Sequence, residues 1–400
     1  MANHDDSNNG KPDWRRQARE IADSLAIAFI LAMVIRHFVL EVFKIPTKSM
    51  QPTLLGDPWT GDKILVNKFA YDFRDPERWD VVVFKYPDNT AKNYIKRVVG
   101  LPGETIHVRD GDVYIDGQIA RKPWPVQQAL WRLRPQSTAA ATWKPDDPTA
   151  WQLRDDEFTV DCGDAPEPQY LNYGRDVLAY EERDFLVSHH PFFRMPTSDA
   201  MVQFHLVPRQ MAGSVHVAFD VRTAARVSEV VDQWTVRVPI GAEPQQPEVF
   251  HSGKLAARGQ PYRLEKGRAT LVQVCNVDMT LLVRIGGREL VRHDYEPSRR
   301  IFRWRGFGRE TDIQIGCKQG HVAFREPSIS VDVYYTQHPQ KRAVLSPHTL
   351  DSDEFFVLGD NSCNSNDSRG WKERGGVPRR YLVGEAFLVL WPLGRMKIVR

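Results

Sequence analysis

Three short stretches carry side chains whose types and spacing could do chemistry. Ile45-Pro-Thr-Lys-Ser-Met-Gln-Pro-Thr-Leu54 places Ser49 in a loop stiffened by two prolines, so that a hydroxyl is held in one place. Serine is a poor nucleophile until a base removes its proton. Tyr94-Ile-Lys-Arg-Val-Val-Gly-Leu-Pro-Gly-Glu104 puts Lys96 inside an apolar strand. An amine can be that base only when neutral, and an ordinary lysine, with a pKa of about 10.4, is almost wholly protonated at pH 7. Burial among Tyr94, Ile95 and Val98 makes the charged form costly and lowers the pKa. The third stretch, Phe356-Val-Leu-Gly-Asp-Asn-Ser-Cys-Asn-Ser-Asn-Asp-Ser-Arg-Gly-Trp371, runs from an apolar strand into a loop dense in Gly, Asn, Asp and Ser. That composition favours a tight loop braced by its own side chains. Each stretch alone also has a plain structural explanation as a turn, a core strand or a solvated loop.

The elements that must position these groups read as mainly antiparallel β. Lys63–Tyr71, Asp80–Tyr86 and Tyr94–Val99 alternate in the manner of half-buried strands. Asp110-Gly111 between two alternating runs is a hairpin signal. Residues 122–198, broken by nine prolines, read as an irregular connector. Alternation returns over 199–336, where many short strands separated by Gly286-Gly287-type turns predict an inserted β-sandwich of laminin-G or lectin type. Residues 44–121 and 337–400 then form the two parts of one core, and Phe387–Pro392 is a strand within it. Because the chain must leave and re-enter that core at nearby points, the insert is expected to fold alone, and deletion of 125–348 to leave measurable activity.

Ahead of the core, residues 1–20 are polar and basic, and residues 21–43 are apolar apart from Asp23, Ser24, Arg36, His37 and Glu41. The uncharged run from Ser24 to Ile35 is shorter than a bilayer requires, but Arg36 and His37 can snorkel and Phe38 to Phe43 extend the span. With no small-x-small cleavage site after it, the segment predicts one transmembrane helix rather than a removed signal. Four basic residues before it against Lys44 and Lys48 after it place the N-terminus in the cytoplasm and everything after Phe43 outside.

Composition narrows the remainder. At 42% hydrophobic and 26% charged residues over 400, the chain can build a globular core. A net charge of +3 argues against a whole-protein nucleic-acid binder. Four scattered cysteines make neither a disulfide scaffold nor a zinc motif. His189-His190, His205, His216 and His251 fit no tetrahedral ligand spacing, so no metal and no cofactor is expected. Ser298 to Arg309 interleaves arginine with aromatics and reads as a half-buried strand with a basic face, with anionic lipid headgroups as the alternative.

Together, and in this order behind an apolar anchor, the motifs resemble bacterial type I signal peptidases, membrane-bound Ser-Lys endopeptidases that cut signal peptides from exported preproteins. The resemblance covers residues 15–117 and 353–394 and includes Gly61-Asp-Lys-Ile-Leu-Val-Asn-Lys68 besides the three stretches above. It implies a signal-peptidase-type antiparallel core, Ser49 as nucleophile and Lys96 as general base. Thr47 and the backbone N–H of Ser49 would form the oxyanion site, and Ser365 would orient the lysine. Asp367 and Arg369 would brace the loop, with Gly359 and Asp360 at its base. Phe43, Ile45, Leu54, Tyr94 and Ile95 match positions lining pockets for small side chains, although they are equally good core residues. The implied partners are preprotein signal peptides and membrane lipid at the cytoplasmic membrane. Where the family commonly has an acidic or amide residue, a serine and an aromatic, this chain has Cys363, Asn366 and Gly370, which puts the bracing of the loop in doubt. The stretch 122–350 has no counterpart in minimal members, and no ligand for it follows from the sequence. A membrane-anchored binding protein with a relic protease core, and a cytosolic self-cleaving Ser-Lys repressor, are the competing classes.

Overall fold

The computed structural model describes residues 14–34, 39–134, 138–180, 195–223, 230–296, 309–336 and 342–400. Residues 1–13, Arg36, His37, Phe38, the His189-His190 pair and the basic-aromatic run from Ser298 to Gly308 lie outside them.

Alternating apolar residues build one antiparallel sheet at the heart of the core. Its order is Leu40–Lys44, Lys63–Asn67, Leu382–Trp391, Val81–Tyr86, Asn89–Gly100, Glu354–Leu358 and Val377–Pro378, with Lys397–Ile398 pairing against Leu382–Trp391. The N-terminal and C-terminal parts of the chain are therefore interleaved strand by strand. One face packs Ile45, Met50, Leu54, Ile64, Val66, Val81 and Val83, and the other Val82, Phe84, Val98, Phe355 and Val357. The hairpin at Asp110-Gly111 forms as expected, joining Thr105–Arg109 to Asp112–Ile115 in a second small sheet. Both turn residues have positive φ, +56° and +94°, the pattern of a two-residue hairpin turn. A Cβ on Gly111 would also run into the ring of Tyr334.

The insert is a two-sheet sandwich. Eight strands, including Glu157–Asp161, Ala200–Pro208, Thr270–Val277 and His321–Val331, face seven, including Ser214–Thr223, Val230–Pro239 and Arg309–Lys318. Val202, Phe204 and Leu206 from one sheet and Val215, Val217 and Phe219 from the other fill the space between. The expected boundary at 199 is corrected. Arg132–Leu133, Trp143–Pro145, Trp151–Arg154, Glu157–Asp161 and Gln169–Tyr173, all within the supposed connector, are strands of these sheets. At two to five residues each, and set among prolines, they give too little pattern to read as strands. Pro145 closes an edge strand, where a missing N–H costs no ladder bond. Pro123 stands at the N-cap, and Pro125 in the first turn, of the helix Trp124–Leu130 rather than breaking structure.

The N-terminal segment also differs from expectation. A helix runs over Trp14–Val34, but among the described residues no helix is long and apolar enough to cross a membrane. The apolar residues placed at the end of a span over 21–43 are instead the edge strand Leu40–Lys44, paired residue by residue with Lys63–Asn67. The five-residue alternation of that strand was masked by the apolar run before it. Ile21, Leu25, Ile27, Phe29, Ile30 and Leu31 are exposed on the helix.

Candidate active site

Ser49 sits in a one-turn 3-10 helix, Lys48–Met50, flanked by extended Thr47 and Gln51. The turn is pinned from below by Met50, which is wholly buried and whose carbonyl accepts the N–H of Leu54 at 2.9 Å. Burying such a side chain contributes about 2 kcal/mol. Lys96 lies on the central strand Asn89–Gly100, paired with Val82, and its Nζ is 2.8 Å from Ser49 Oγ and 2.9 Å from the Ile95 carbonyl. Both residues are buried, at 6% and 4% exposure. Burial lowers the pKa of the lysine to about 8, although Asp367 and Asp360 pull it back up. Thr47 Oγ1 is 3.4 Å from Ser49 Oγ, on the exposed side of the turn.

The loop after Glu354–Leu358 closes over this pair. Asn361 donates its backbone N–H to the Ser49 carbonyl at 3.0 Å and its side-chain amide to the Lys48 carbonyl at 3.1 Å. Gly359 is where the loop meets the backbone of Ser49: a Cβ there would lie 2.6 Å from the Ser49 carbonyl oxygen and collide with Ser365 Oγ. Only glycine leaves that approach open. Asp360 is gripped by Arg97, Nε to Oδ1 at 2.8 Å and Nη2 to Oδ2 at 2.7 Å, and by the Thr53 hydroxyl. Asp367 receives Arg369 Nε at 2.8 Å and Nη2 at 2.7 Å, and the Gly359 N–H at 3.1 Å. Burial alone would raise the Asp367 carboxyl, but the Arg369 guanidinium outweighs it and the pKa falls.

The expected loop residues thus converge, with one difference. Ser365 makes no hydrogen bond of normal geometry, and none to Lys96; it is buried against Gly359 and turned towards Asp367. Ile45 and Leu54 are fully packed in the core beneath the turn, with Phe43 and Ile95 half-buried beside them, while Tyr94 stacks on Tyr86 at 4.3 Å. Arg97 and Thr53, which the motifs contain, escaped attention. A second basic residue next to Lys96 on an apolar strand, and so on its opposite face, was a readable signal. Tyr180, Thr336 and Ser362 also escaped. The Ser362 N–H donates to Tyr180 Oη at 3.1 Å, its hydroxyl accepts from the Thr336 N–H at 2.8 Å, and Arg369 donates to the Thr336 carbonyl at 2.7 Å. Cys363 packs where an acidic side chain would be out of place, against Ala179, Tyr180, Met195 and Tyr334 from the inserted stretch.

One acidic group could in principle hold a cation: Asp112, Asp199 and Asp278 bring carboxylate oxygens within 4.8 Å of one another. A positive charge is already there, because Lys122 Nζ lies 2.5 Å from Asp278 and 2.9 Å from Asp332, all three side chains being buried.

The family model for signal peptidase, peptidase S26, matches residues 18–175 and 315–391. Signal peptidase I of Pseudomonas aeruginosa is 42% identical over 113 residues, covering 25% of this chain and 38% of that protein. Probable signal peptidase I-2 of Synechocystis is 42% identical over 105 residues, covering 25% and 46%. The chain therefore spans less than half the length of these relatives. Among solved structures, a carbohydrate-binding module from Bacillus subtilis superposes on 47% of this chain and 94% of its own at 9% identity, with a TM-score of 0.31, below what defines a shared fold. With the family model running through more than half of its residues, the chain belongs to the signal peptidase family, peptidase S26.

Proposed function

We propose that this protein is a membrane-anchored serine endopeptidase that cuts signal peptides from exported preproteins after small-x-small motifs. The observation that carries the reading is the 2.8 Å approach of Lys96 Nζ to Ser49 Oγ in a buried setting that brings the amine to a pKa of about 8. A base with that pKa is neutral in a useful fraction of molecules at neutral pH and still strong enough to take a hydroxyl proton. Ser49 Oγ attacks the scissile carbonyl as its proton passes to Lys96. The negative charge on the carbonyl oxygen is met by the Ser49 N–H and the Thr47 hydroxyl, on the open side of the turn. The lysine returns the proton to the leaving amine, then activates a water that hydrolyses the acyl-enzyme.

Specificity for small residues follows from an extended peptide lying along a strand edge, with alternate side chains pointing into shallow recesses. Phe43, Tyr94 and Ile95, half-buried beside the dyad, supply the walls, and Ile45 and Leu54 the floor. The anchor reading rests on uncovered apolar surface. Besides the helix residues, Trp59, Trp391, Leu393, Met396 and Ile398 are more than half exposed. Register places several of these together: Trp391 pairs with Lys63, Ile398 with Leu388, and Arg395 bridges to Asp62. Exposed apolar surface of this extent marks a partner or a lipid surface. The N-terminus is then cytoplasmic, and the catalytic domain lies on the far side of the membrane.

Incubating a preprotein in detergent with the wild type and with Ser49→Ala tests the reading. Mature product from the wild type alone is expected. Binding without cleavage by the wild type would leave the relic-core alternative.

A further inference from the structure

We propose that Cys162 and Cys317 are a disulfide site that clips together the two sheets of the inserted sandwich. Cys162 directly follows the strand Glu157–Asp161 of the eight-stranded sheet, where the chain leaves to form Gln169–Tyr173 of the other. Cys317 stands near the end of Arg309–Lys318 in the seven-stranded sheet, and the turn after it carries the chain back into the eight-stranded one. The two crossings run side by side: Asp161 pairs with His321, and Gln169 with Cys317. Both cysteines converge on one carbonyl. The Cys162 N–H donates to Gly320 O at 2.9 Å and the Cys317 thiol to the same oxygen at 3.5 Å, while Cys162 Sγ lies 3.0 Å from Cys317 O. Each thiol thus donates to a backbone carbonyl of the same turn, Cys162 to Cys317 O and Cys317 to Gly320 O. A sulfur 3.0 Å from the other cysteine's carbonyl is within reach of a change of side-chain rotamer, the kind of adjustment that could bring the two sulfurs together. Cys275 and Cys363 pack in separate clusters.

The chemistry has a built-in order. Contact with Cys317 holds the Cys162 thiol below its usual range, and contact with Cys162, with burial, pushes Cys317 up. Cys162 is also the less buried of the two, at 6% against 0%. Its thiolate attacks one sulfur of an external disulfide oxidant and releases the other as a thiol. Cys317 then loses its proton, attacks the mixed disulfide at Cys162 and releases the second thiol. Two protein thiols are oxidised by two electrons and one external disulfide is reduced to two thiols. In the cell the oxidant would be a disulfide-bearing oxidoreductase outside the cytoplasm, so the physiological form of the proposal rests on the membrane topology proposed above. The bond itself does not. The link spans 155 positions of sequence, so it would restrict the unfolded chain strongly.

The test uses the full chain in detergent. One sample is unfolded in reductant and refolded in a reduced and oxidised glutathione mixture, and another, never unfolded, is treated with oxidised glutathione alone. Both are then alkylated in denaturant without reductant. In either sample two of the four cysteines are expected to remain alkylatable, the intact mass to fall by two hydrogens, and one proteolytic fragment to join Cys162 to Cys317. Cys162→Ser should leave three alkylatable thiols and no link, Cys275→Ser and Cys363→Ser should keep the link, and the linked form should melt higher than the same protein after reduction. Four alkylatable thiols in both samples, or a link through Cys275 or Cys363, would overturn the proposal. Preprotein cleavage assayed in parallel keeps the two ideas apart: activity with four thiols sinks only the disulfide, and a linked but inactive enzyme sinks only the peptidase reading.

Discussion

Two buried ion pairs act on Lys96, and they are held by different parts of the chain. Asp360 is gripped by Arg97 and Thr53, both from the core, and Arg97 is further fixed by the Trp79 carbonyl at 2.8 Å. Asp367 is held by Nε and Nη2 of Arg369, whose remaining nitrogen, Nη1, donates to the Thr336 carbonyl and the Ser362 hydroxyl, and Ser362 is held in turn by Tyr180. Tyr180 lies between the two parts of the chain that the family model matches, and Thr336 lies within the second of them. One side of the site is thus held by the central sheet and the segments beside it, and the other also draws on the insert through Tyr180. Val126, Leu130, Val333, Tyr335 and Ala343 also pack against Trp79, Val99 and Leu358 of the core. The insert is a wall of the loop that positions Ser49, not an appendage.

The largest expected effect comes from what both braces serve. Ser49→Ala and Lys96→Met should each lower kcat/KM by at least about 10^4-fold, and the double variant should be no worse, because nucleophile and base act as a unit. Lys96→Met should nevertheless be more stable than the wild type. The pKa of this lysine is lower folded, at about 8, than unfolded, so folding is penalised below pH 8 and the penalty fades as pH rises towards the unfolded value. Chemical denaturation should show a gain of up to about 3 kcal/mol at pH 7 that shrinks by pH 10. Equal stability at pH 7 would mean that the amine is not the buried base described here.

Next in size is deletion of 125–348. The sequence suggests that it spares activity, but the contacts of Tyr180, Thr336 and the shared apolar cluster lead us to expect no measurable cleavage. A folded, active deletion protein would show that the core brace suffices. Between the two braces, Arg97→Met and Arg369→Met each strand a buried carboxylate and should each cost about 3–5 kcal/mol of stability.

The wild-type pH profile offers a finer comparison. Cleavage should rise with pH to a plateau through an apparent pKa near 8. Both carboxylates raise the lysine, Asp367 more than Asp360. Asp367→Asn should therefore move the rising limb further to lower pH than Asp360→Asn does, which single-turnover rates from pH 6 to 10 would reveal. Coincident profiles would remove the distinction between the braces. The smallest effect is expected for Tyr180→Phe, which leaves the Ser362 N–H unpaired at a cost of about 1–3 kcal/mol. It should slow cleavage without moving the profile.

Sequence alone singled out Ser49, Lys96 and the loop that closes over them, because each lies in a short segment whose local chemistry is legible: proline-bounded serine, lysine in an apolar strand, glycine where backbones must touch. It also determined the alternating strands and the Asp110-Gly111 turn, which are set by neighbours one or two residues away. Only the tertiary structure decided that Leu40–Lys44 is an edge strand and that five short strands before residue 174 belong to the sandwich, since pairing across the chain, not local pattern, makes a short segment a strand. It alone placed Arg97 on Asp360 and Tyr180 on Ser362, partners 263 and 182 positions apart. A buried polar group is satisfied by whatever the fold brings within 3 Å, and no spacing in the sequence records that distance.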